Sequence, residues 1–366
     1  MKENKIFNSI RWTGRSLVLL DQRKIPFKKE YIECLNLEQT IEAIKKMVVR
    51  GAPAIALSGI YGFCLYLIGL RLKPQLQEME IQLNNLLNSR PTAVNLKLAI
   101  ERYKDTILSD NFSNESLESL VTKSIDFANF IYNEDLEINL KIAENGSLLF
   151  SKGSRELSIL THCNTGALAT AGIGTAIGVL RILKAKGFNL TVYASETRPY
   201  HQGSRLTSWE LKEEGIECYI ISDSMSAYIM KEKKIDAVLV GADRITGKGD
   251  TANKIGTFSH AIIAREFKIP FYVAASSSSF DFSILDGNDI HIEMRAESEL
   301  TQNSFLKDES GNNYIPEGVL APMGARALNP SFDVTPAGYI TGIITEKGNI
   351  IPVNEDNIKN MIVSNY

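Results

Sequence analysis

The sequence predicts an α/β protein in two parts, and three observations predict it. From Ser158 onward, short apolar or β-branched runs alternate with helix-length segments, the pattern of parallel strands joined by crossover helices. Before about Tyr132 the periodicity is mainly helical, with two strand-like runs near the start. The 366 residues suffice for two cores, and the 44% apolar and 23% charged content is that of an ordinary globular chain. The expectation is a smaller, mainly helical domain with a small β-sheet over 1–132. A doubly wound, mostly parallel, Rossmann-like sheet then follows over 133–366.

"SLVLLDQRKIP" and "KEYIECL" read as strand, turn and strand. Asn36 is placed to cap a helix whose Leu37, Ile41, Ile44 and Val48 share one face. "VRGAPAIA" ends that helix at Gly51 and opens the next at Pro53. The following "PAIALSGIYGFCLYLIGL" carries no charge and approaches the length of a membrane span. Its Ser58, Gly59, Gly62 and Gly69, and an N-terminus with no apolar signal-type core, fit a buried helix better. No membrane partner is expected. "RPTAVNLKLAIERYKDTIL" and "SNESLESLVTKSIDFANFIYNEDLEINLKIAENGSLLF" add two or three amphipathic helices. The strands expected after them are "LSILTHC", "NLTVYAS", "ECYIISD", "IDAVLVGAD", "PFYVAAS" and "GYITGIITEKG". Helices are expected in "GALATAGIGTAIGVLRILKAKG", "GSRLTSWELKEEG" and "ANKIGTFSHAIIAREFK".

Charge and cysteine usage exclude several classes. A net charge of −3 gives no basic footprint for nucleic acid. The four cysteines (Cys34, Cys64, Cys163, Cys218) and four histidines (His162, His201, His260, His291) are dispersed without metal-ligand spacing, so no metal is expected. Free thiols fit a cytoplasmic protein.

Cys163 stands where the strand "LSIL" gives way to "THCNTGALATAGIGTA". It is either a small buried hydrophobe or a reagent. The dipole of a helix starting there would favour thiolate. Asp243, ending "IDAVLVGAD", either caps a following helix or serves as an acid whose pKa the apolar strand raises. Arg50, Gly51 and Ala52 are either a helix end or, with exposed N–H groups before the helix at Pro53, an anion site. Asn253 and Lys254 in "GDTANKIGT" invite the same two readings. "GIGTAIG" suggests a dinucleotide fingerprint, but its glycines fall inside the expected helix rather than at the strand–helix junction, which disfavours nicotinamide.

Taken together, the segments resemble the methylthioribose-1-phosphate isomerase family of methionine salvage. The stretches that carry the likeness include "LVLLDQRKIP", "VRGAPAIA", "RPTAVNL", "LTHCNTGALATAGIGTAIGVLR", "ETRPYHQGSRLTSWEL", "GADRI", "GDTANKIGT" and "NPSFDVTPAGYITGIITEKG", in order along almost the whole chain. The wider family includes isomerases of ribose 1,5-bisphosphate and 5-deoxyribose 1-phosphate, and regulatory subunits of a translation-initiation exchange factor. The regulatory members are not expected to keep both Cys163 and Asp243. The resemblance implies conversion of a cyclic aldose 1-phosphate to an open-chain ketose 1-phosphate, with Asp243 and Cys163 catalytic. It implies that Arg50, Gly51, Ala52, Arg90, Gln202, Asn253 and Lys254 bind substrate, with no cofactor and with a homodimeric assembly. His201 replaces a leucine of the usual pattern and Met294 an acidic residue, and these departures bear on substrate preference.

Overall fold

The computed structural model of the chain describes residues 7–90, 93–108, 112, 115–302, 320–321 and 325–363. They divide into two compact units. One holds the residues up to Gly153 with Asn164–Phe188 and Trp209–Ile216; the other holds Ser154–Cys163, Asn189–Ser208 and the residues from Glu217 onward. Tyr132, the expected boundary, lies inside a 32-residue helix, Leu117–Leu148. The apolar stripe does not stop there, because Asn139, Ile142, Ala143, Gly146 and Ser147 continue the buried face at helical spacing.

In the first unit, Ile10–Trp12 (β1), Leu17–Leu20 (β2) and Tyr31–Cys34 (β3) form an antiparallel sheet with β2 in the middle and wholly buried. Leu37–Lys45 (α1) starts as expected, with Asn36 Oδ1 accepting from the Gln39 N–H at 2.9 Å. Ala52–Ile68 (α2) is buried without interruption from Ala54 to Leu65. It packs against α1, Val94–Ile107 (α4) and Leu117–Leu148 (α5), so its lack of a polar face reflects a central place in the core. Among the described residues no helix is long and apolar enough to cross a membrane. Leu76–Leu87 (α3) has no counterpart in the sequence reading. Pro91 and Thr92 of "RPTAVNL" lie outside the described residues. Ala176–Ala185 (α6) packs on α5, where Gly178 brings the backbone close to Ala143. Ser208–Glu213 (α7) contributes most of its length to this unit.

The strands of the second unit are, in chain order, Glu156–Thr161 (β4), Asn189–Ser195 (β5), Glu217–Ile221 (β6), Ala237–Val240 (β7), Arg244–Thr246 (β8) and Thr251–Lys254 (β9). Phe271–Ala274 (β10), Phe280–Asp281 (β11), Phe332–Thr335 (β12), Gly342–Thr345 (β13) and Gly348–Ile350 (β14) complete them. All six strands expected after Ser158 join one sheet, ordered β14-β13-β10-β7-β4-β5-β6 and parallel except for β14. β8, β9, β11 and β12 form a second small sheet that the alternation does not announce. Its strands are too short and mixed in pattern to stand out. Ser226–Glu232 (α8) and Thr257–Glu266 (α9) follow β6 and β9.

The sheet order reverses at β4 and β7. From β4 the chain proceeds outward through β5 and β6, then returns to β7 on the other side and proceeds through β10 and β13. Such a switch point opens a crevice outside the carboxyl ends of the two central strands, where open α/β sheets take ligands.

Gly51 opens α2 with φ +94°, and a Cβ there would lie 2.5 Å from the Ala169 Cα. Gly51→Ala is therefore expected to lower stability by at least about 1–3 kcal/mol through backbone strain, before any clash is counted. Urea unfolding measures it, and an unchanged midpoint would show that the approach relaxes freely.

Candidate active site

Cys163 and Asp243 lie just beyond the carboxyl ends of β4 and β7, the two strands at the switch point. These strands pair directly, Leu160 opposite Val238, and the Thr161 hydroxyl donates to the Leu239 carbonyl at 2.8 Å. The geometry thus brings the thiol-bearing and carboxyl-bearing turns to one edge.

The surroundings of Cys163 differ from the expectation. No helix starts beside it; residues 164–175 are turns and bends, and α6 begins only at Ala176. A helix dipole therefore does not act on the thiol. Gly172 and Gly174 lie in that irregular segment rather than inside a helix. Gly174 is required by a close backbone approach, since a Cβ would fall 2.4 Å from the Gly166 Cα. The thiol is held instead through its own backbone. Cys163 is buried in a left-handed conformation, φ 62°. Its N–H donates to Thr197 Oγ1 at 2.9 Å, and its carbonyl accepts from the Thr207 hydroxyl.

Thr197 is itself fully buried with φ 64°, a rare state for a β-branched residue. Its N–H donates to Asp223 Oδ1 at 2.8 Å, its hydroxyl donates to the Ser195 carbonyl at 2.9 Å, and its carbonyl accepts from the His201 N–H at 2.8 Å. Burial pushes the Asp223 carboxyl up, but the Ser195 hydroxyl and the N–H groups of Arg198 and Thr197 hold it below its ordinary value. His201, φ 58°, is the third left-handed residue of the cluster; burial and then Arg198 and Arg205 lower its pKa. Strain gathered at strand ends is typical of ligand sites.

Asp243 runs directly into β8 and caps no helix; its N–H donates to the Ala252 carbonyl at 2.9 Å. It is exposed, so the apolar strand before it does not bury the carboxyl as expected. Asn253 and Lys254 end β9 rather than start a helix, since α9 begins at Thr257. The Asn253 amide donates to Thr257 Oγ1 at 3.1 Å, and Lys254 Nζ stands 4.9 Å from the Phe332 ring centroid. Gln202 is buried, and its Oε1 has no hydrogen-bond partner among the described residues.

Sequence reasoning missed a histidine pair beneath these residues. His162 and His260 are both buried, with Nδ1 and Nε2 3.1 Å apart. His162 Nε2 lies 2.8 Å from the Ile255 carbonyl and His260 Nδ1 lies 2.8 Å from Ser226 Oγ. The carbonyl can only accept, so His162 Nε2 carries a proton, and with both rings neutral His162 Nδ1 accepts from His260 Nε2.

In the first unit, Arg50, Gly51 and Ala52 lie at the start of α2 as expected. Arg50 Nη2 donates to the Asn164 carbonyl at 2.8 Å and to Asn164 Oδ1, while its Nε is buried without a partner among the described residues. Arg90 is half-buried just after α3, its N–H donating to the Leu87 carbonyl. Glu210, a second residue that sequence reasoning missed, is wholly buried in α7 and accepts from Asn164 Nδ2 at 2.8 Å.

A mostly parallel sheet with a thiol and a carboxyl at its switch point defines an α/β protein built to hold a small ligand at the carboxyl edge. The chain belongs to the initiation factor 2 subunit family, whose model matches residues 48–352. It is 54% identical over 355 residues to the methylthioribose-1-phosphate isomerase of Leptospira interrogans serogroup Icterohaemorrhagiae serovar copenhageni, covering 97% of this chain and 98% of that protein. Among solved structures it is similar to 5-methylthioribose 1-phosphate isomerase from Pyrococcus horikoshii OT3, with TM-score 0.87, 36% identity and coverage of 97% and 95%. It is also similar to translation initiation factor eIF-2B, subunit delta, from A. fulgidus, with TM-score 0.83, 39% identity and coverage of 97% and 99%.

The histidine pair sets a pH dependence. Burial, then His162, lowers the pKa of His260 from 6.5 to about 3, and burial lowers that of His162. Both are neutral when folded and take up protons when unfolded below about 6.5, so their contribution is complete above that pH and is lost as pH falls toward 3. Relative to His260→Gln, the wild type is expected to lose up to about 1.4 kcal/mol per pH unit over that window. Unfolding curves of the two proteins from pH 7 to 4 test it; parallel curves would contradict it.

Proposed function

We propose that the chain is an aldose–ketose isomerase that converts 5-methylthioribose 1-phosphate to 5-methylthioribulose 1-phosphate, in the methionine salvage of the cytoplasm. The observation that carries the reading is the pairing of Cys163 and Asp243 at the ends of the two switch-point strands. The names of the relatives, at high identity over nearly the full length, support the same substrate.

The chemistry makes distinct demands on the two groups. Phosphate on the anomeric oxygen removes the free aldehyde through which ordinary aldose isomerases work. The C1–ring oxygen bond must break while the phosphate stays attached, and the departing oxygen takes a proton. Asp243 supplies that proton. Its exposure does not oppose the role, because a bound sugar displaces water from the carboxyl and an anionic phosphate disfavours its ionisation. C1 then gains the hydrogen that C2 loses, and the C2 hydroxyl becomes the ketone as its proton returns to the Asp243 carboxylate. Substrate and product are isomers, so the step balances without an external oxidant. Cys163, just beyond the end of β4, handles that hydrogen or the charge that develops at C2.

Arg50, with Gly51 and Ala52 at the start of α2, holds the phosphate. Arg90, Gln202, Asn253 and Lys254 bind the remainder of the substrate, and the unpartnered Gln202 Oε1 suits a sugar hydroxyl. A regulatory reading has one specific support, the likeness to the A. fulgidus initiation-factor subunit. It would leave the thiol and carboxyl without a task.

Cys163→Ser and Asp243→Asn are each expected to lower kcat by roughly 10²- to 10⁴-fold, with smaller changes in KM. Ketose formation is followed by NMR with 5-methylthioribose 1-phosphate, 5-deoxyribose 1-phosphate and ribose 1,5-bisphosphate. Turnover of another sugar alone would reassign the substrate, and turnover of none would favour the regulatory reading.

A homodimer is part of the same proposal. β6 is the edge of the large sheet and exposes Tyr219 and Ile220, with Met225 and Tyr228 exposed just after it. An apolar sheet edge of this kind is ordinarily covered. Sedimentation equilibrium should give twice the chain mass of 40.6 kDa, and a single-chain mass would overturn the assignment.

A further inference from the structure

We propose that Asn164 is a positioning residue for Arg50. Oriented by the buried carboxylate of Glu210, it holds the guanidinium in the attitude that takes the substrate phosphate. The inference rests on the reading of Arg50 as a phosphate ligand.

Glu210 has no solvent exposure, and four donors converge on it. Oε2 accepts from the Ala167 N–H at 2.8 Å and from Arg181 Nη2 at 2.8 Å. Oε1 accepts from Asn164 Nδ2 at 2.8 Å and from the Leu168 N–H at 3.1 Å. An ionised carboxylate only accepts, so the Asn164 amide turns its NH2 toward Glu210 and its oxygen the other way. That oxygen meets Arg50 Nη2, which also reaches the Asn164 carbonyl. Both protons of Nη2 are thereby committed, and the planar guanidinium cannot rotate without breaking a bond. Its Nε–H is left buried with no acceptor among the described residues, an orphan donor that an anionic oxygen would satisfy.

Charge explains why the link is an amide. Arg181 pairs with both Glu210 and Glu214 on the far side of the network and offsets one of their two negative charges. Asn164 transmits the orientation of Glu210 without transmitting its charge, so Arg50 keeps its full positive charge for the phosphate. An aspartate at 164 would face Glu210 and pair with Arg50 at once.

The test is a double-mutant cycle on the full chain, with Arg50→Ala, Asn164→Ala, Asn164→Asp and the Arg50→Ala/Asn164→Ala pair. KM and kcat for 5-methylthioribose 1-phosphate are measured together with the inhibition constant of inorganic phosphate. Asn164→Ala should raise KM and weaken phosphate inhibition about tenfold, with kcat lowered far less. Asn164→Asp should weaken both further. In the double variant the alanine at 164 should add nothing to the effect of Arg50→Ala, which a merely structural role would not reproduce. Full additivity, or normal KM and phosphate inhibition in Asn164→Asp, overturns the proposal. Normal binding in Asn164→Ala beside weakened binding in Arg50→Ala overturns this inference alone. Normal phosphate inhibition in Arg50→Ala overturns the phosphate reading and this inference with it. Far-UV circular dichroism verifies folding. Asn164→Ser, which keeps a short acceptor, replaces Asn164→Ala where the alanine chain does not fold.

Discussion

Residues 164–175 are mostly buried yet form neither helix nor strand, so their backbone groups cannot satisfy one another in a regular ladder. Every such group removed from water needs a partner from elsewhere, and much of the first unit is arranged to supply them. Glu210 takes the N–H groups of Ala167 and Leu168, and Asp135 takes that of Ala171 at 2.7 Å. The carbonyls of Ala167, Leu168, Ala169 and Ala171 accept from Ser9 Oγ, Gln22 Nε2, the Ala54 N–H and the Tyr132 hydroxyl. α5 runs past Tyr132, and both that residue and Asp135 bond to the segment. Burial pushes the Asp135 carboxyl up to about 6, against the pull of the Ala171 N–H. The segment obtains the order of a regular element from side chains that converge on it.

The second unit holds Cys163 by another device. Thr197 and Cys163 both adopt left-handed backbones, and the bond between the Thr197 hydroxyl and the Cys163 N–H couples the two conformations. Asp223 anchors Thr197, and Gly203 lets the chain pass Ser195, whose carbonyl would lie 1.7 Å from any Cβ at 203. Both main-chain polar groups of Cys163 are thereby committed within the unit. Strain of this kind persists only where surrounding bonds over-determine it.

How much of this was legible depended on whether the signal was local. The six strands, the Asn36 cap and the Gly51–Pro53 helix start are written in contiguous residues, and so is the position of Cys163 and Asp243 at the ends of two of those strands. The expected helix after Cys163 is absent because an Ala-, Gly- and Thr-rich stretch buried on all sides has the composition of a packed helix without its stripe. Glu210 stands in "WELKEEG" among other acidic residues, and one short helix carries no periodicity to mark which of them is buried. His162 and His260 are 98 residues apart, and nothing in either neighbourhood announces the other. The exposure of Asp243 escaped for a similar reason, since it depends on the turn into β8 rather than on the apolar strand before it.

One of the five points at which the chain passes between the units is the peptide bond joining Cys163 to Asn164. On the proposed reading, adjacent residues serve different ends, one offering the thiol and the other orienting the arginine. A disturbance at either would ordinarily pass to its neighbour through the backbone. Here each is fixed by bonds within its own unit, Cys163 by Thr197 and Thr207, Asn164 by Glu210 and Arg50. Independent anchoring is the physical condition for binding and turnover to change separately. It also gives the irregular segment a reason to begin where it does, because a helix starting at Asn164 would bind the two residues into one rigid turn.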